Sequence, residues 1–177
     1  MAKLNNDRQV VMEAVKNDGM ALEFASENLQ NDIEIVMTAI KQNPEALKYA
    51  SRQLKDNRDI VLTAVKKKAW CVYEYASENM RADREIALIA FKSDSDCIRY
   101  APASITHDRE MMLTVIKNKG EHIKYASDEL KKDKKFILQA IEIYPDSLEF
   151  ASPEIKNDKE FILGLIKKDG KLLKYLR

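Results

Sequence analysis

The sequence predicts an all-α fold: an α-solenoid of about seven 25-residue two-helix repeats, running through residues 1–177 as a single helical-repeat domain. Three observations carry this reading. The triplet Phe/Tyr-Ala-Ser recurs at Phe24, Tyr49, Tyr75, Tyr125 and Phe150, with Tyr100-Ala101-Pro102 and the terminal Tyr175 as altered copies. An Asp or Asn recurs in register with it, so that copies start near 7, 32, 57, 83, 108, 133 and 158. Behind each of these comes an apolar block with one-turn spacing, such as Ile35-Val36-Met37 followed by Ala39-Ile40.

Taken in chain order, each copy opens with a first helix of roughly ten residues. Asp7, Asp32, Asn57, Asp83, Asp108, Asp133 and Asp158 stand where an N-cap belongs, and Glu34, Glu85, Glu110 and Glu160 add acid to the first turn. Lysines such as Lys16, Lys41 and Lys92 sit near the other end, where a cation suits the helix dipole. A break follows at Asp18-Gly19, Asn43-Pro44, Lys119-Gly120, Tyr144-Pro145 and Asp169-Gly170. The second helix is short, as in Pro44–Ser51, and in the sixth copy Ser152-Pro153 reads as a cap opening one further turn. Leu29, Leu54, Met80, Ile105, Leu130 and Ile155 then plug the core before the next copy. One extra residue falls near Lys68–Trp70 in the third copy, and is expected to lie in a loop. A helix apolar over so much of its circumference needs cover on two sides, which stacked copies supply.

The pattern of Asp, apolar block, Ala, aliphatic and Lys, followed by Phe/Tyr-Ala-Ser, resembles the repeat of the family called domain of unknown function 4116. The resemblance covers essentially the whole chain, as about three of that family's roughly fifty-residue units, with Asn57, Trp70 and Pro102 departing from the pattern. Such repeats occur in bacteria, protists and large viruses, and the family carries no established activity. What the resemblance implies is a helical repeat protein inside a cell.

Thirty Lys and Arg against 29 Asp and Glu argue against a generally basic nucleic-acid binder and against a polyanion mimic. Two cysteines make neither a disulfide framework nor a four-ligand zinc site, and Cys71 and Cys97 read as small buried hydrophobes. His107 and His122 read as surface or loop histidines without a metal-ligand partner. The repeated Asp column is explained by capping and no nucleophile motif is present, so neither an enzyme nor a cofactor or metal site is expected. MAKLNND has no secretory apolar stretch and no run approaches membrane-spanning length, so a cytoplasmic location without a membrane partner is expected.

The function expected is therefore a non-enzymatic scaffold for protein–protein interaction, its partner of unknown identity. Trp70, Ile143, Tyr144 and, more weakly, Met20 place apolar bulk where the inter-helix turn is otherwise polar, and are the candidate anchors. Arg8, Arg58, Arg84, Arg109, Lys134 and Lys159 share the position after the cap and form a ladder, the candidate site if the ligand is RNA or another polyanion. A third expectation, an effector or inhibitor of a pathogen or phage acting on a host protein in the host cytoplasm, is a special case of the scaffold.

Overall fold

A computed structural model describes residues 4–175, the side chains of residues 68–71 excepted. The chain divides into two compact units, Met1–Tyr100 and Ala101–Arg177. Both are built from helices, with no strand among the described residues.

The long helices are α1 (Arg8–Asn17), α3 (Ile33–Gln42), α5 (Arg58–Val72) and α7 (Arg84–Ser93) in the first unit. In the second they are α9 (Arg109–Asn118), α11 (Lys134–Ile143) and α13 (Lys159–Lys168). Each starts on the expected cap. Asp32 Oδ1 accepts from the amides of Glu34 and Ile35 at 2.9 and 3.1 Å, and Asn57 does the same for Asp59 and Ile60. Ile35, Val36, Ala39 and Ile40 are all fully buried, as are Met111, Met112 and Val115 in the second unit. Within the first unit α1 packs on α3, α3 on α5 and α5 on α7; within the second, α9 packs on α11.

The segment after each long helix differs from the expectation. The second helix is a 3-10 helix, not an α-helix, over Gly19–Phe24, Pro44–Tyr49, Tyr73–Tyr75 and Ser95–Tyr100, then over Gly120–Tyr125, Pro145–Phe150 and Gly170–Tyr175. A short α-helix then closes the copy: α2 (Glu27–Gln30), α4 (Arg52–Lys55), α6 (Glu78–Ala82), α8 (Ala103–Thr106), α10 (Asp128–Lys132) and α12 (Pro153–Lys156). The extra turn read from Ser152-Pro153 in the sixth copy thus closes six of the copies.

Six residues is long for a 3-10 helix, and both ends are tied. At the start, Asp18, Asn43, Asp94 and Asp169 each accept from the amide two residues on, at 2.9–3.0 Å. At the end, a side chain from the short helix returns to the last carbonyls: Gln30 Nε2 to Leu22 O at 3.1 Å, Lys131 Nζ to Lys124 O at 2.9 Å, and Lys156 Nζ to Glu149 O at 2.5 Å. The Ala of the triplet then turns the backbone extended.

The Ser of the triplet joins one copy to the one before. Its amide donates to a carbonyl of the previous short segment: Ser26 to Asn5, Ser51 to Gln30 and Ser77 to Lys55, each at 2.9 Å, and in the second unit Ser127 to Thr106 and Ser152 to Lys131. The hydroxyl works in two directions. Ser51 Oγ accepts from Leu54 N, capping α4, and donates to Asn31 Oδ1 of the previous copy. Phe/Tyr-Ala-Ser is therefore first a packing and hydrogen-bonding motif.

The third copy corrects a second expectation. Its extra residue lies inside a helix rather than in a loop, because α5 runs 15 residues, through the place where the other long helices stop. The run Lys66 to Val72 offers no Asx cap, Gly or Pro, so nothing ends the helix there. The 3-10 segment shrinks to Tyr73–Tyr75 in compensation.

Candidate interaction surface

The aromatic of the repeated triplet is where the structure departs most from what the core requires. In five copies the aliphatic partner two residues earlier in the 3-10 helix (Leu22, Leu47, Ile98, Ile123, Leu148) is buried to 1% exposure or less, while Leu173, its counterpart before Tyr175, is exposed. The aromatic itself is not buried. Phe24 is 72% exposed, and Tyr49, Tyr75, Tyr100, Tyr125, Phe150 and Tyr175 are half-buried. Each copy thus presents one ring at its surface, at the same point of the 3-10 helix. In the first unit the ring-bearing helices pack in two pairs, Gly19–Phe24 on Pro44–Tyr49 and Tyr73–Tyr75 on Ser95–Tyr100.

The rings are held by charge. Lys48 lies over Tyr49 at 5.4 Å from the ring centroid, Arg99 over Tyr100 at 5.4 Å, Lys124 over Tyr125 at 5.1 Å and Lys174 over Tyr175 at 4.4 Å. Carboxylates of the preceding copy hold the hydroxyls. Partial burial, then the hydrogen bond to Glu23, pushes the Tyr49 phenol above its ordinary value. At Tyr100 the hydrogen bond to Glu74 comes first and burial second. In the second unit Asp146 bonds the Tyr175 hydroxyl and lies 3.5 Å from that of Tyr144. Each of these copies thus holds an oriented aromatic face with a polar edge.

The residues singled out by sequence are distributed differently. Trp70 falls among the side chains outside the described residues. Met20 is half-buried at the start of its 3-10 helix, and Ile143 is half-buried at the end of α11. Tyr144 is also half-buried, and its ring lies over Gly120 of the preceding copy so closely that a Cβ there would come within 2.2 Å of it. Packing therefore accounts for Tyr144, and the hint in the sequence was the glycine 24 positions earlier.

Along the basic ladder, cations of one copy pair with the cap of the next. Arg8 Nε meets Asp32 at 2.9 Å and its guanidinium also bonds Glu34. Arg58 repeats this with Asp83 and Glu85, Arg109 pairs with Asp133, and Lys134 pairs with Asp158. Partial burial pushes the Asp32 and Asp83 carboxyls up. The arginine and the helix amides outweigh it and hold both below the ordinary carboxylate range. Arg84 and Lys159 are exposed at the starts of α7 and α13.

The histidines part company. His107 is at the surface, with Glu129 3.1 Å from Nε2. His122, expected at the surface or in a loop, is instead 1% exposed, its ring 5.7 Å from that of Tyr125. It occupies the column of Ala46, Val72, Cys97 and Ser147, all buried, which faces the core once per copy. Among the described residues there is no group of three or more metal-ligating side chains, and no helix long and apolar enough to cross a membrane.

Among families of known sequence, the model of the one described as Domain of unknown function (DUF4116) matches residues 7–55, 57–106, 108–156 and 133–177. Its span of two copies has a physical counterpart here. The first three matches open on Asp7, Asn57 and Asp108, and in each the next residue (Arg8, Arg58, Arg109) pairs with the cap of the second copy inside the same match. No curated protein and no solved structure matches the chain.

Proposed function

The chain belongs to the DUF4116 family of helical repeats, and we propose that it is a non-enzymatic scaffold that holds another protein against its aromatic row. The observation that supports this most is the exposed or half-buried ring that each copy presents, Phe24, Tyr49, Tyr75 and Tyr100 in the first unit and Tyr125, Phe150 and Tyr175 in the second, each unit taken by itself. Aromatic side chains with a polar tip offer large contact area at small entropic cost, and dominate interface hot spots. The repeated carboxylates that an enzyme would need are spent on helix caps and ion pairs, so no chemistry is assigned to them. Four of the six ladder cations already face carboxylates, which favours a protein over a polyanion as the ligand. In this reading the protein works in a cytoplasm, its own or that of a host if it is an effector.

The test is affinity capture from source-cell cytosol, with and without nuclease, comparing the natural chain with a Tyr49→Ser, Tyr75→Ser variant of unchanged circular dichroism. A stoichiometric protein that survives nuclease and is lost with the variant supports the reading. Undiminished capture by the variant would remove the row from it, and capture abolished by nuclease would favour the Arg/Lys ladder.

A further inference from the structure

We infer that the outward stripe of α13 pairs with the same stripe of a second copy of this chain, antiparallel and about a two-fold axis, with Leu163 of each copy seated over Gly164 of the other. None of the aromatic-row residues takes part.

The helix itself fixes the spacing of the stripe. Glu160, Leu163, Gly164, Lys167 and Lys168 are exposed and recur three and four apart, so they run down one side of α13. Two of them depart from the repeat. Leu163 is 47% exposed, whereas its counterparts Met12, Met37, Leu62, Leu88, Leu113 and Leu138 are half-buried. Gly164 stands where the other copies have Glu13, Thr38, Thr63, Ile89, Thr114 and Gln139. Propensity alone disfavours a glycine inside a helix, and nothing in the chain takes the place of its missing side chain, since nothing lies within 4 Å of the position a Cβ would occupy. The space opens into a groove of about 450 Å³ between α11 and α13, floored by Leu138, Phe161 and Leu165. An exposed leucine beside a glycine hollow is a knob beside a hole, and two copies of one such face fill each other.

Charge makes the face self-complementary and sets its direction. Glu160 lies one turn before Gly164 and Lys168 one turn after it, each about 6 Å along the axis. In an antiparallel pair crossing at Gly164, Glu160 of one copy meets Lys168 of the other at both ends, and the helix dipoles oppose favourably. A parallel pair would set Glu160 on Glu160 and lysine on lysine. The neighbouring Asp158 is engaged by Lys134, whereas among the described residues Glu160, Lys167 and Lys168 form no ion pair. One ten-residue helix from each copy makes a small interface, below about 1,200 Å² in total, so the dimer forms at micromolar concentration or above. A contact closed by a two-fold axis stops at the dimer.

The experiment is sedimentation velocity on the whole chain from micromolar to millimolar concentration. A monomer–dimer equilibrium is expected. Leu163→Glu should weaken it about tenfold or more, as should Gly164→Thr, which takes the residue of three other copies. Two further chains test the direction. Glu160→Lys makes the charges of the stripe all positive, and Lys167→Glu with Lys168→Glu makes them all negative. With circular dichroism unchanged in every variant, each of these two is expected to stay monomeric alone, and their equimolar mixture to associate at least as strongly as the natural chain. A natural chain that is monomeric throughout would overturn the inference. So would a dimer unchanged by Leu163→Glu and Gly164→Thr, which belongs to another surface, or growth beyond the dimer, which marks a contact that does not close. A mixture no more associated than its components would overturn the antiparallel pairing.

Discussion

The second and third copies begin alike and diverge after one helix. In the second, Asn43-Pro44 stops α3, caps the 3-10 helix and leaves Leu47 to fill the core. In the third, α5 runs on to Val72, and the core position of Leu47 is taken by Tyr73, fully buried and edge-on to Phe91 at 5.6 Å. Backbone hydrogen-bond accounting explains the tyrosine. The carbonyls of Gln30 and Lys55 each receive a serine amide from the next copy. Arg81 holds the same position in its own short helix, but the residue 21 places on is Pro102, which has no N–H to give. The Tyr73 hydroxyl donates to Arg81 O instead, at 2.6 Å. Thr106 is likewise too short to return to the end of its 3-10 helix as Gln30 and Lys131 do, and Arg81 Nη1 reaches Tyr100 O at 2.6 Å. A repeat thus tolerates the loss of a standard donor where another side chain supplies one.

The largest expected effect breaks that substitution. Tyr73→Ala removes a buried ring and the donor together and should cost about 3–5 kcal/mol, as core aromatic truncations do. Tyr73→Phe keeps the ring against Phe91 and leaves Arg81 O without its phenol, for about 1–3 kcal/mol. Urea unfolding of the whole chain, read by circular dichroism, separates the two. If Tyr73→Phe were neutral, water would be satisfying Arg81 O and the hydroxyl would have no special place. In the second copy, Ser51→Pro removes the amide that Gln30 O receives, with no phenol nearby to replace it. A loss at least as large as that of Tyr73→Phe is expected, by the same measurement.

A smaller effect tests the close approach of Tyr144 to Gly120. Gly120→Ala places a Cβ within 2.2 Å of the ring and should cost roughly 1–3 kcal/mol, as overpacking does. Combined with Tyr144→Ala, most of that added cost should vanish, a coupling visible in a double-mutant cycle. Gly164 supplies the contrast: nothing lies within 4 Å of its Cβ position, and Gly164→Ala in α13 should stabilise by up to about 1 kcal/mol through helix propensity. Equal costs at the two glycines would mean that backbone freedom, and not the Tyr144 ring, sets the requirement.

These sites also mark what the sequence could convey. The caps at Asp7 to Asp158 and the buried block after each were legible, because N-capping and a 3.6-residue period are local signals. The 3-10 character of Pro44–Tyr49 was not, since six residues with an aliphatic and an aromatic two apart fit either helix. The missing stop after Lys66 was written in the sequence as an absence of Gly, Pro and Asx, a weaker signal than the insertion that drew attention to the same place. Exposure of the Tyr49 row was hidden because an aromatic in a repeated triplet reads as core. Only the contact between copies decides which face of the 3-10 helix is covered. Trp70 drew attention as a break in the repeat, whereas the candidate surface is the repeat itself.

The smallest effect concerns the ion pairs, where the second and third copies again differ. Arg8 holds the cap of α3 through Asp32, whereas Ile33 stands in the ladder position before Asn57, and the cap of α5 lacks that arginine. Asp32→Asn should keep the cap, since Asn57 accepts the same two amides, while removing the charge that Arg8 meets. Because Asp32 is held below the ordinary carboxylate value, its extra stability is present above the unfolded value of about 3.9 and is lost as pH falls through the lower, folded value. Asp83, Asp133 and Asp158 are depressed in the same sense. Melting temperature should accordingly hold steady from neutral pH down to about 5 and fall below about 4. Asp32→Asn should shift it little at pH 7, because such exposed pairs contribute little, and should shallow the fall in acid. An unchanged acid profile for the variant would assign the fall to the other depressed carboxyls, Asp83, Asp133 and Asp158 together with Glu121, Glu129 and Glu154. A large loss at pH 7 would mean that the Arg8 pair, and not the cap alone, holds the second copy on the first.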